Sequence, residues 1–235
     1  MNPRHLFMDE RLRSMCAYCG AEPNTRDHVP AKVFLDEPYP PQMAVVEACE
    51  RCNASFSLDE QYVACFLECV LAGTAEPARV QRGKIKRILG ENPNLVARIA
   101  TSQRRDGTGV LVWEPEVDRI RRVAMKLAQG HVAYELYPNF EESAVSLVPL
   151  PLLNVQRAAA FEDAPFRTLD MLPEIGTRAF CRALLVVTGS QKAPAAFTED
   201  WVVIQPGRYR YAVEPDTPMV RIVLSEYLAC EVAWR

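Results

Sequence analysis

The chain has 235 residues, 49% of them hydrophobic and 24% charged, with a formal net charge of -3. That balance is ordinary for a globular protein and supplies ample apolar material for a core; the charge excludes a globally basic nucleic-acid binder, so any grip on phosphates must come from a local patch. No run approaches the roughly 18 apolar residues of a membrane helix, and the charged segment Met1 to Ser14 has no signal-peptide core, so the sequence predicts a cytoplasmic protein with no membrane partner.

In chain order, the first features are Cys16-Ala-Tyr-Cys19, Asp27-His28-Val-Pro30 and Cys49-Glu-Arg-Cys52-Asn53. Two Cys-x2-Cys pairs about thirty residues apart can deliver four thiolates to one tetrahedral zinc. The spacing therefore assigns Cys16, Cys19, Cys49 and Cys52 to a structural Zn²⁺, because four thiolates leave no position for water. Gly20 permits the turn of the first knuckle, Lys32 to Leu35 reads as a short extended piece, and Met43 to Ala48 as a strand. A helix follows the second knuckle. Ser57 and Glu60 have the spacing of a capping box, and Tyr62, Val63, Phe66, Leu67, Val70 and Leu71 have helical period before the stop at Gly73. Cys65 and Cys69, one turn apart, read as core thiols.

From Thr74 to Gln103 the pattern predicts helices punctuated by Gly90 and Pro93. Arg79, Arg82, Lys84, Lys86 and Arg87 lie here, and between Arg79 and Arg104 the one acid is Glu91. Such a run can contact nucleic-acid phosphates or form a solvated face. A strand is predicted over Thr108 to Trp113 and a helix over Val117, Ile120, Val123 and Leu127, ending near Gly130. His131 to Leu136 and Ala144 to Val148 read as strands, and Leu152 to Arg178 is ambiguous. Further strands follow at Phe180 to Thr188, Trp201 to Ile204, Arg208 to Val213, Met219 to Leu224 and Tyr227 to Trp234, where Leu228, Cys230, Val232 and Trp234 share one face.

The three motifs, in this order, resemble the HNH (ββα-metal) nuclease family over roughly residues 14 to 72. The resemblance implies a metal-dependent endonuclease acting on DNA, with RNA as the other polymer. His28 matches the general base, whose unperturbed pKa of about 6.5 suits proton abstraction from water. Asp27 and Asn53 match the ligands of a catalytic Mg²⁺ or Mn²⁺ ion, and Glu60 is an additional candidate ligand. The chain departs from the family in having no Asn between Asp27 and Cys49, where the family places one.

The expected fold class is α+β. A zinc-stapled ββα, treble-clef-like module over residues 1–75 precedes a mixed helix and antiparallel-sheet domain over 76–235, of accessory role, with homo-oligomerisation left open. The rival reading, from a different functional class, is a non-catalytic zinc module that binds nucleic acid or a protein partner.

Overall fold

The computed structural model describes residues 15–41, 43–136, 143–163, 178, 201–214 and 219–234. It begins with an antiparallel hairpin of β1 (Thr25–Val29) and β2 (Ala44–Ala48), in which Asp27 faces Val46 and His28 faces Val45 in register. Helices α1 (Glu50–Ser55) and α2 (Ser57–Ala72) follow. Thus an N-terminal β/α region bearing the four motif cysteines precedes a mixed α/β region. That second region holds α3 (Gly83–Glu91), α4 (Pro93–Ala100), the small hairpin β3 (Gln103–Arg105) and β4 (Leu111–Trp113), and α5 (Val117–Glu135). After β5 (Ser143–Pro149) and α6 (Val155–Glu162), strands β6 (Val202–Gln205), β7 (Tyr209–Glu214), β8 (Met219–Leu224) and β9 (Leu228–Trp234) complete an antiparallel sheet of order β5-β9-β8-β7-β6.

Helix α5 is the centre of the packing. It touches α2 on one side, β5, β7, β8 and β9 on another, and the β1–β2 hairpin on a third. One apolar core runs from Phe34 and Leu35 through Tyr62 and Leu67 of α2 and Leu127 of α5 to Tyr209, Ile222 and Trp234 of the sheet. Alternation does this work in β9: Leu228, Cys230, Val232 and Trp234 are all buried on the core face. The same rule puts Tyr209 and Tyr211 inward while Arg208 and Arg210 stay partly exposed.

Several expected elements differ. Lys32–Phe34 is a turn of 3-10 helix, not an extended piece. His131 to Glu135 continues α5 instead of starting a strand, because Ala124, Leu127, Ala128, His131, Val132 and Glu135 keep a helical spacing on the buried side. Gly130 does not stop the helix. It lies where a Cβ would come within 2.6 Å of Val29 Cγ2, so its missing side chain lets the hairpin lie close on α5. Gly73, with φ 67°, does end α2. The strand expected over Phe180 to Thr188 lies outside the described residues.

Candidate metal centre

Each knuckle is a turn tied down by backbone hydrogen bonds. Gly20 N donates to Cys16 O and Cys16 N to Ala21 O, while Ala17 N donates to Glu47 O and so fixes the first knuckle to β2. Cys49 is the N-cap of α1, its Sγ accepting from Cys52 N at 3.4 Å. Asn24 Oδ1 accepts from Glu50 N at 2.7 Å, joining the loop after the first knuckle to the second. The sequence reading had assigned Asn24 no task.

The four thiol sulfurs lie within 4.8 Å of one another, with Cys19 and Cys49 Sγ 3.8 Å apart. A tetrahedral ion with Zn–S near 2.3 Å sets thiolates about 3.8 Å apart, so the cluster fits zinc and can bind a metal ion. In the metal-free protein the Cys52 backbone N–H draws the Cys49 thiol down to about 7, and burial pushes the Cys52 thiol up. Zinc would replace these protons with one ion held by four thiolates.

The other motif residues do not converge on a second ion. Asp27 is buried on the β1 face that meets α5. Its Oδ2 accepts from Tyr18 Oη at 2.9 Å and from Lys126 Nζ at 2.7 Å. Glu60, also buried, accepts from the same Lys126 Nζ at 2.6 Å. The Lys126 side chain is 2% exposed. Burial pushes the Glu60 carboxyl up and the Lys126 ammonium opposes that; burial and then the Asp27 carboxylate hold the Tyr18 phenol far above its ordinary range. His28, adjacent to Asp27, alternates to the other face of β1 and is half-buried. Asn53 Nδ2 donates to Thr25 Oγ1 and Arg26 O, both at 3.3 Å, so its amide fastens α1 to β1.

This overturns the expected metal-dependent endonuclease. Among the described residues the metal-ligating cluster is Cys16, Cys19, Cys49 and Cys52, a set that a structural zinc saturates, and not a His28, Asp27 and Asn53 arrangement. Asp27 is committed to an ammonium and a phenol. With catalysis go the hydrolase activity, the magnesium or manganese ion and the assignment as a DNA-cutting enzyme that rested on it. A cytoplasmic location is not carried by any structural feature; no helix among the described residues is long and apolar enough to cross a membrane.

Two further assignments change. Glu60 is not part of a capping box: Phe56 is the N-cap of α2 without a side-chain cap bond, and Ser57 Oγ donates to Ala54 O. Asp59, in the first turn of that helix, is buried and accepts from Arg119 at 2.6 Å and from Arg122 at 2.7 Å. Within the basic run, Arg82 is buried, its guanidinium spent on Asp36 and on the carbonyls of Val33 and Leu35. Lys84 donates to Lys32 O and Tyr39 Oη. Arg79, Lys86 and Arg87 are exposed.

Sequence reasoning missed Lys126 and Tyr18. The signal for Lys126 was its place three residues after Val123 on the buried stripe of α5, where a lysine requires a counter-charge. No protein-family model, no curated protein and no solved structure matches this chain.

Proposed function

We propose that the chain is a non-catalytic zinc module that binds nucleic acid through its phosphates. The observation that supports the non-catalytic part is the Asp27 carboxylate, paired with the Lys126 ammonium and the Tyr18 hydroxyl in a buried cluster. A four-thiolate zinc beside it contributes rigidity, since it has no open position. The motif histidine and asparagine then serve the hairpin: His28 lies within β1, and Asn53 ties α1 to the β1 backbone.

Binding is assigned to the surface around the start of α3. Arg79 and Lys86 line a hollow of about 700 Å³ in which Arg208 is paired with Glu68, and Arg87 lies on an adjoining one of about 430 Å³ that Asp36 and Glu37 also line. Neither hollow is lined by an aromatic side chain. Cations without stacking platforms favour backbone contact over reading of bases.

The test is fluorescence anisotropy of the zinc-loaded protein with duplex DNA, single-stranded DNA and RNA at several salt concentrations. Binding that weakens steeply with salt, and that falls at least about tenfold in Arg79→Glu/Arg87→Glu with zinc retained, is expected. Zinc-loaded protein that binds none of the three would favour a protein partner. Cutting of any of them with Mg²⁺ or Mn²⁺ would refute the non-catalytic reading.

A further inference from the structure

The carboxylates of Asp27 and Glu60 reach one point from β1 and α2, and between them stands a single ammonium from α5, 2.7 Å from one and 2.6 Å from the other. The rings of Tyr18 and Phe56 lie 5.6 and 5.4 Å from that ammonium, so its surroundings are aromatic faces and carboxylate oxygens, an environment selective for positive charge. The same Asp27 oxygen also accepts from Tyr18. Two acidic side chains thus share one ammonium as their cation. Paired carboxylate oxygens are also the donors that a hard divalent ion prefers.

We propose that this is a cation site filled from within the chain: the Lys126 ammonium is its resident cation, and its presence keeps divalent ions out. The proposal rests on the non-catalytic reading above and supplies its cause, since a tethered ammonium cannot activate water or polarise a phosphate as a metal does. Lys126 is a positioning residue here, because it joins the zinc hairpin to α2 through the two acids.

The experiment follows thermal unfolding of the zinc-loaded full chain with and without MnCl₂, in the wild type, Lys126→Ala and Asp27→Asn/Lys126→Ala, with zinc content measured in each. Lys126→Met is run beside them. Methionine is one atom shorter than lysine, so it keeps the buried stem and vacates the ammonium position. Expected are no manganese shift in the wild type, a rise of at least about 3 °C in Lys126→Ala or Lys126→Met, and its disappearance when Asp27 is also changed. Folded, zinc-loaded Lys126 variants that ignore manganese would overturn the proposal and leave the non-catalytic reading standing. A wild type that shifts as much as the Lys126 variants would overturn it too. Only cleavage by the wild type in parallel would then also remove the non-catalytic reading.

Discussion

Helix α2 carries two ion clusters about 12 Å apart along its axis, eight residues at 1.5 Å each, and they are built on different principles. At its start, Glu60 and Asp27 share the one ammonium of Lys126, and all three are buried. Further along, Glu68 and Asp36 face two guanidinium groups. Arg82 Nε is 2.6 Å from Asp36, and Arg208 reaches Asp36 at 2.6 Å and Glu68 at 3.2 Å. Two carboxylates and two guanidiniums cancel, and solvent reaches the Asp36 and Arg208 side chains, 37% and 26% exposed. Guanidinium forks satisfy several acceptors in fixed geometry, whereas an ammonium is a point charge that can stand in for an ion. The second cluster therefore fastens α2 to α3 and the start of β7, while the first has the character of an occupied site.

Removing zinc should separate the two most sharply. The first knuckle contains Tyr18, which donates to Asp27, so loss of the metal loosens one anchor of the first cluster and none of the second. Structural zinc in small modules contributes on the order of 10 kcal/mol. Chelation should thus raise hydrogen exchange in β1–β2 by at least about 100-fold while β7–β9 keep their protection; equal loss in both would show that the hairpin does not open separately.

Lys126→Ala comes next. It leaves two buried carboxylates without a counter-charge, a change that costs about 3–5 kcal/mol, measured as the drop in urea-unfolding free energy at constant zinc. Asp36→Asn should cost only about 1 kcal/mol, because Asp36 is partly solvated and the buried Arg82 keeps Glu68 and the carbonyls of Val33 and Leu35 as partners. Its penalty should also depend on pH. Burial alone would raise the Asp36 carboxyl, but Arg82 and Arg208 override it and hold it below the ordinary carboxylate value. A depressed acid stabilises above its unfolded pKa of about 3.9 and loses that contribution as pH falls through the folded value. The wild-type and Asp36→Asn stabilities should therefore converge at the acid end of a titration from pH 7 downward.

The zinc ligands and much of the sheet were legible because their signals are local. Cys-x2-Cys spacing specifies one metal, and the alternation in β9 specifies one face. The meaning of Asp27 was not local. Asp-His beside an Asn after the last cysteine reads as a metal site until Lys126, ninety-nine positions after Asp27 (126 - 27 = 99), is placed between Asp27 and Glu60. That placement depends on the β1–β2 hairpin lying on α5 at Gly130, and glycine read along the sequence looks like a stop. Its actual role, the close approach of Val29, exists only once the hairpin lies on the helix. Arg82 misled for the same reason: one cation in a basic run is indistinguishable from its neighbours until the carbonyls of Val33 and Leu35 close around it.

Tyr18→Phe tests whether the zinc and the first cluster communicate. Tyr18 lies between Cys16 and Cys19, so a metal on those thiols fixes the backbone from which its hydroxyl reaches Asp27. Tyr18→Phe keeps the ring near Lys126 and Phe56 and removes only that donor. Asp27 retains the ammonium, so the loss should be that of one hydrogen bond to a charged group, about 1.5–3 kcal/mol at most, and less where water can reach the carboxylate. The informative quantity is the coupling. If zinc acts on the cluster through Tyr18, the stability difference between wild type and Tyr18→Phe should be present with zinc and shrink towards zero after chelation, because the unstapled knuckle no longer presents the hydroxyl. A difference unchanged by chelation would mean that the hairpin holds Tyr18 in place without the metal, and that the zinc fixes the second knuckle and α1 alone.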